Sequence, residues 1–579
     1  RYHRRAGEAI EAISAGRPEP HLEELARHFG LGNVPDKAAV YAYQAAEENA
    51  RLHNWARAGP LYGQAAAALT HLPDSPAVRR QRIEACLKQV TYSFVTEKPE
   101  RNLDILTEAR RLAGSLVKDA TPTGPELRSE DEGADDRLLM AHLDYWIGRV
   151  LVYQLDYPAA LEYLGRAQAA AEAAGQTDLR ALAVSTLGRT MVEMGRFDTA
   201  APLLAEAADV LAQQGKWSEW IWNNVALALS LAARGHFQAG VVEAQRSLAR
   251  AHETQNASLE GPAQLFFGLV HLMGGDLGAA AEAGRAAVAA GETSGIRFAA
   301  HLGSGLVAWS ESRRGNYHSA ADWFDRHRTS GGSLGARLVF TDWFTAADAE
   351  FKLLAGDPAA ALAAAQAAVG LGQLAGGVFA EGLAHRVWGL ALATLQNAAS
   401  DTRRSSPTRP QPEAATSIHS DDTPEAHFAL SIRLLESGAA VLEAARTHVA
   451  WGLLARDRGD TAAAADHLDQ AAITFEAAGL TAELATVRTA LANLAPAARR
   501  SSGPPGGPHP AGLSDREVQV IQLIAAGRTT KEIAAQLFVS VATVERHITH
   551  LYTKIGARSR VDATAFALAH GLTRPERDG

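Results

Sequence analysis

The chain has 579 residues, which at roughly 150 residues per domain allows about four domains or one long repeat array. It is 47% hydrophobic but only 6% aromatic, a balance that speaks against a β-sandwich, and its single cysteine, Cys86, excludes a disulfide framework or a multi-thiolate zinc site. The net charge is −9; residues 511–574 hold eight Lys/Arg against five Asp/Glu, a local +3 that leaves −12 for the rest, so a small basic module follows an acidic body.

The opening Arg1-Tyr-His-Arg-Arg5 is basic, but no apolar stretch follows it as a signal peptide would require. It reads as the cut edge of a longer protein, with residues 1–35 a helical remnant. No window of about 18 uninterrupted apolar residues occurs, so no membrane-spanning segment is expected, and the expected location is cytoplasmic.

Residues 36–494 are organised by a recurring turn. It reads Leu155-Asp-Tyr157-Pro-Ala-Ala160, Gly195-Arg-Phe197-Asp-Thr-Ala200, Gly235-His-Phe237-Gln-Ala239, Gly275-Asp-Leu277-Gly-Ala-Ala280, Gly315-Asn-Tyr317-His-Ser-Ala320 and Gly356-Asp-Pro-Ala-Ala360, in steps of 40, 40, 40, 40 and 41 residues. Each unit predicts two amphipathic helices around that turn. Glycine ends the first helix in five of the six, because it accepts positive φ without steric cost. A small alanine after the aromatic lets the second helix pack closely. Around Gly195, the stripes Ala181, Val184, Leu187, Met191 and Leu203, Leu204, Ala207, Leu211 follow helical spacing. One hairpin cannot bury its apolar face alone, so neighbours must stack into a solenoid. Arg458-Gly459-Asp460-Thr-Ala-Ala463 is a further copy, and Asn54-Trp55-Ala56-Arg57-Ala58 a weaker one. Two polar stretches interrupt the register, 118–136 and 399–424, and are expected to be disordered insertions. The repeats resemble tetratricopeptide-like arrays. That likeness predicts an all-α fold and an unknown ligand or protein held by the solenoid.

Gly331-Gly-Ser333-Leu-Gly335 matches G-x-S-x-G letter by letter, but helical units flank it where a nucleophile elbow needs a strand, so it reads as an inter-helix loop. Gly303-Ser304-Gly305 falls inside a predicted helix and reads as close packing. No phosphate-cradling G-x-x-x-x-G-K-[ST] occurs, and no enzyme activity is expected.

Residues 495–512 carry five prolines and four glycines and predict a flexible linker. Residues 513–573 then predict four short helices. Ser514 with Glu517, and Thr529 with Glu532, have capping-box spacing; Val520, Leu523 and Ile524 form the first apolar face, and Ile533, Ala534 and Leu537 the second. Ser540 caps a third helix whose Val544, Ile548, Leu551 and Ile555 make one buried stripe, with Glu545, Arg546, Thr549, His550 and Thr553 opposite. The fourth helix runs from about Arg560 to His570, with Val561, Ala565 and Leu568 as its apolar residues and Glu517–Arg560 as a candidate internal ion pair. Two short helices joined by a tight turn, the second with a polar outer face, form a helix-turn-helix.

Leu513, Arg516-Glu517, Val520, Gly527, Lys531-Glu532-Ile533-Ala534, Leu537, Ser540, Thr543-Val544, His547, Lys554-Ile555-Gly556, Arg560 and Ala563 give this module its resemblance to the LuxR-type DNA-binding domain. The resemblance implies that Glu545, Arg546, Thr549 and His550 face base edges, with Thr530, Lys531, Ser540, Thr543, His547 and Lys554 toward phosphates. It also implies double-stranded promoter DNA as partner, a homodimer or higher oligomer formed through the last helix, and contact with RNA polymerase. Many relatives carry a basic residue where this chain has Glu545, so base preference does not carry over. The repeat array followed by this module resembles the large ATP-binding LuxR regulators. Those carry a signal-transducing ATPase domain upstream, and Leu22-Glu-Glu-Leu-Ala-Arg-His28 resembles the helical stretch after it. No cofactor is expected in this chain, and ATP would enter only through a segment before Arg1. The competing reading is a repeat scaffold whose terminal module serves protein docking.

Overall fold

The computed structural model describes residues 1–14, 19–52, 54–94, 97–119, 130–295, 297–332, 339–405, 422–498, 509–513, 515–537 and 541–572. Among them every regular element is a helix. They form two compact units, residues 1–450 with 473–483, and residues 451–472 with 484–579.

The turn signature has one backbone solution throughout. Gly195, Gly235, Gly275, Gly315 and Gly356 all have φ between +75° and +88°. The Gly195 N–H donates to the Val192 carbonyl at 2.9 Å and the Arg196 N–H to the Met191 carbonyl at 2.8 Å, the paired bonds that close a helix end on a left-handed residue. The same pair recurs at Gly235, Gly275, Gly315, Gly356 and, in the second unit, Gly459. Leu155 adopts it without being glycine, at φ +59°. The aspartate of the signature starts the next helix. Asp156, Asp276 and Asp357 accept the backbone N–H three residues on at 3.3, 3.1 and 2.9 Å, which satisfies a helix-start donor.

Five residues after the turn residue, Ala160, Ala200, Ala280, Ala320 and Ala361 are fully buried. Gly240 takes that place in the remaining unit, where a Cβ would come within 2.7 Å of the Ala228 carbonyl oxygen. Close crossing of the two helices sets this size limit. Both stripes read around Gly195 turn inward, with Val184, Leu204, Ala207 and Leu211 at the core.

Helices Thr177–Glu193, Trp217–Ala233, Ala257–Met273, Arg297–Arg313 and Thr341–Leu354, the first of each hairpin, pack side by side as well as against their own partners. They make a continuous inner layer, and in Arg297–Arg313 every residue from His301 to Ser312 is buried. The glycines of Gly303-Ser304-Gly305 do pack closely, since a Cβ on Gly305 would lie 2.7 Å from the Phe344 ring. Ser333 lies outside the described residues.

The first unit also winds back on itself. The Phe197 N–H donates to the Gly438 carbonyl at 2.9 Å and the Val378 N–H to the Met194 carbonyl at 2.9 Å, while Trp343 Nε1 reaches the Glu193 carbonyl at 3.1 Å. This long-range seam decides which turn aromatics are buried. Phe197 meets Phe379 and Trp343 edge-on, whereas Tyr317 is 40% exposed.

Three expected boundaries move. The stretch 118–136 is helical at both ends, in Pro99–Asp119 and Glu130–Tyr153, and Asp136 is buried in an ion pair with Arg80 at 2.7 Å. Helix Val378–Ser405 extends into 399–424, and Thr423 caps the helix Pro424–Ser437. Helix Thr481–Ala498 runs through Pro496 into the linker; the centres of all three stretches lie outside the described residues. Helix Pro358–Ala375 is long and apolar enough by composition to cross a membrane. Its Ala361, Ala365, Ala368, Val369, Gly372 and Ala375 are buried, and it packs between Thr341–Leu354 and Val378–Ser405.

One turn carries removable strain. Gln255, exposed and at φ +51°, stands where other units have Gly175, Gly215 and Gly295. Gln255→Gly is expected to raise stability by about 1 kcal/mol, since a left-handed conformation disfavours any Cβ. Urea unfolding checks this, and a lower midpoint would show that the side chain holds the turn.

Candidate nucleic-acid interface

Four helices build the terminal module, Asp515–Ala525, Thr530–Leu537, Val541–Ile555 and Arg560–Ala569. The first ends at Gly527, φ +75°, with the N–H of Arg528 on the Leu523 carbonyl at 3.0 Å, the closure already seen in the repeats. The second opens on a reciprocal capping box: the Thr529 N–H donates to Glu532 Oε2 at 2.7 Å, and the Glu532 N–H to Thr529 Oγ1 at 3.3 Å. Those bonds from Thr529 hold the Glu532 carboxyl below its ordinary value. Ser559 caps the fourth helix through the Asp562 N–H at 3.2 Å. Ser514 lies outside the described residues.

The core gathers Leu513, Val520, Ile521, Ile524, Ile533, Val544 and Leu551, with Leu537, Ile548 and Ile555 packed at its margin. The third helix is thereby held by the stripe read from its sequence, and its orientation follows. Glu545, Thr549, His550 and Thr553 are exposed. The Thr549 hydroxyl donates to the Glu545 carbonyl at 3.0 Å and the Thr553 hydroxyl to the Thr549 carbonyl at 2.9 Å, so both oxygens keep lone pairs and both methyls a fixed direction. On the second helix Lys531 is exposed and Thr530 half-buried; His547 on the third is half-buried. Ser540 and the side chains of Thr543 and Arg546 lie outside the described residues.

Two expectations about the support are corrected. Buried Glu517 accepts Lys554 Nζ at 2.7 Å, while Arg560 donates to the Arg528 carbonyl. The cation on the third helix, within reach of the first, holds the carboxylate, and the fourth helix is tied through backbone. Lys554 remains 42% exposed on its side chain. The fourth helix is turned over relative to its apolar reading. Ala563 and Ala567 are buried, while Val561 is 76% and Leu568 63% exposed. Close packing on the first helix admits only alanine, so the larger residues go outward. Arg516 was not expected as a positioning residue: its Nη2 donates to the Leu537 carbonyl and its Nη1 to Gln519 Oε1, both at 2.8 Å. It clamps the end of the second helix, just before the turn.

Residues 511–567 match the family of bacterial regulatory proteins, luxR family. The response regulator Rre1 of Synechocystis is 48% identical over 61 residues, 10% of this chain and 26% of that protein. The oxygen regulatory protein NreC of Staphylococcus aureus is 52% identical over 60 residues, 10% of this chain and 28% of its own. The chain thus spans about a quarter of the length of these curated relatives. Among solved structures, a Rap protein complexed with competence and sporulation factor is 13% identical with a TM-score of 0.42, covering 80% of this chain and 99% of that one. The terminal module is a LuxR-type helix-turn-helix domain, preceded by a long array of helical hairpins.

Proposed function

We propose that this chain is a sequence-specific transcriptional regulator of the large ATP-binding LuxR kind, whose repeat array senses a ligand or protein partner and whose terminal module binds promoter DNA. The observation that carries this reading is the exposed polar face of Val541–Ile555 on a LuxR-type module. A helix of that width enters a major groove, with Glu545, Arg546, Thr549 and His550 toward base edges. Lys531, with Thr530, Ser540, Thr543, His547 and Lys554, lies toward the phosphates in this reading and supplies salt-dependent affinity. Lys554 reaches phosphate while still held by Glu517. Outward Val561 and Leu568 support dimerisation through the last helix, which would set two half-sites about one helical turn apart.

The test is a gel shift of the full chain on its own upstream region. Thr549→Ala is expected to lower specific affinity by roughly 5- to 150-fold, the weight of a base contact of about 1–3 kcal/mol. Lys531→Ala is expected to weaken specific and nonspecific binding alike and to reduce the salt slope by about 1. DNA affinity that is absent at every salt concentration would favour the docking scaffold instead.

A further inference from the structure

Within the first unit, helices Glu130–Tyr153, Thr177–Glu193, Trp217–Ala233, Ala257–Met273 and Arg297–Arg313 and the residues Val339 and Phe340 converge on one open-mouthed recess. Arg149 and Arg189 lie in its wall; each stands six positions before its turn, at Leu155 and Gly195, so the repeat itself sets them side by side. Both are half-buried. Their hydrogen-bond partners are neutral: Arg149 Nη1 donates to the Tyr145 hydroxyl and Arg189 Nη2 to the Thr186 hydroxyl, both at 3.2 Å. The buried Arg189 Nε has no partner, and no carboxylate lies within ion-pair distance of either guanidinium among the described residues. Elsewhere in this unit buried arginines are neutralised, as Arg313 and Arg386 are by glutamates at 3.0 and 2.6 Å.

Tyr153, Trp222, Phe266, Phe298 and Phe340 share the rest of the wall with aliphatic side chains and two threonines. Phe298 sits 6.4 Å from both Tyr153 and Trp222, and Phe266 meets Phe340 edge-on at 5.9 Å. Phe340 is buried at φ +63°, a conformation that a bulky residue adopts only under constraint, and such strain gathers at binding sites. Glu193 also lines the recess, with a buried Oε2 that lacks a partner. Burial, against the pull of Arg189, pushes this carboxyl up to about 8; near neutral pH it is a donor and leaves the arginine charges uncompensated.

We infer that this recess is the ligand site of the array and takes a small organic monocarboxylate with an aromatic or apolar body. Two neighbouring guanidiniums can donate to one carboxylate, the Glu193 carboxyl adds a hydrogen bond, and the rings hold the body. This deepens the proposed sensing role and rests on it only for the consequence at DNA.

The test uses the full chain with benzoate, phenylacetate, indole-3-acetate and octanoate as probes, and indole-3-acetamide as the uncharged control. Calorimetric titration is expected to detect at least one carboxylate and not the amide, and Arg189→Gln to weaken it at least tenfold, with Arg189→Lys intermediate. Without ligand, Arg189→Gln is expected to hold or raise the melting temperature, because it removes one of two uncompensated neighbouring cations. Silence from all four carboxylates, equal binding of the amide, or a lowered melting temperature in Arg189→Gln overturns the inference. The gel shift is run separately. Carboxylate binding without DNA affinity would sink the regulator reading and leave this site standing, and the reverse outcome would do the opposite.

Discussion

Glu443→Gln is expected to destabilise the first unit by about 3–5 kcal/mol, the effect of leaving buried charges without their counter-ion. Glu443 is 1% exposed and receives Arg386 Nη1 at 2.6 Å, Arg446 Nη1 at 2.7 Å and Arg313 Nη1 at 3.2 Å. Arg313 also reaches Glu350 at 3.0 Å and Arg446 reaches Glu483 at 2.8 Å, so three guanidiniums face three carboxylates. Arg446 Nη2 further donates to the Met273 carbonyl at 2.7 Å. These residues come from hairpins far apart in sequence, and the network pins the seam where the array winds back. Burial alone would raise the Glu443 carboxyl, but the three guanidiniums outweigh it and hold it well below its ordinary value. Its contribution is therefore present above the unfolded carboxylate range and is lost as pH falls through the folded value. The Gln variant leaves three cations against two anions. Arg386→Met combined with Glu443→Leu restores the balance and is expected to be less destabilising than Glu443→Gln. Urea unfolding of the three proteins decides it; a change below about 1 kcal/mol in Glu443→Gln would mean that water screens the network as it does surface pairs.

The repeat was legible because one local rule is written many times. Positive φ at Gly195, an aspartate cap at Asp156 and a small residue at Ala200 are short-range demands, and each leaves a mark at a fixed offset. The polar face of the third module helix was legible for the same reason, since Val544 to Leu551 sets which side is left for Thr549 and His550. What escaped the sequence depends on distant partners. Nothing near Phe197 distinguishes it from Tyr317; Phe379 and Trp343 do so from across the seam. Arg313 and Glu443 lie 130 residues apart, and the recess draws between one and five residues from each of six segments. The fourth module helix departs from its sequence pattern for a geometric reason: its larger apolar residues suggest the inward face, but close packing needs its smallest ones, Ala563 and Ala567. Lys554 takes the place of Arg560 as partner of Glu517, while Arg560 is engaged by the Arg528 carbonyl.

Asp342→Asn is expected to stabilise the protein by an amount that grows as pH rises from about 4 to 8. Asp342 is fully buried at the start of helix Thr341–Leu354. One oxygen accepts the Trp343 N–H at 3.0 Å, and Oδ2 has no hydrogen-bond partner. Burial pushes its carboxyl up to about 7, and that of neighbouring Glu193 up to about 8, whereas in an unfolded chain both ionise near 4. As pH rises past about 4 the unfolded chain releases these protons first, so the folded state loses ground until pH passes the folded values. The stability of the native protein should therefore fall between about pH 4 and 8. Asparagine keeps the acceptor for the Trp343 N–H and has no proton to lose, so the variant drops the Asp342 share of that slope. The share is roughly 2–4 kcal/mol at pH 8, from about three pKa units at 1.36 kcal/mol each. Glu193→Gln should remove the part that extends toward pH 8. Urea midpoints at pH 5, 6, 7 and 8 give both profiles, and lines that run parallel for native protein and Asp342→Asn would place an ionised aspartate in the fold, against its burial and its unpartnered Oδ2.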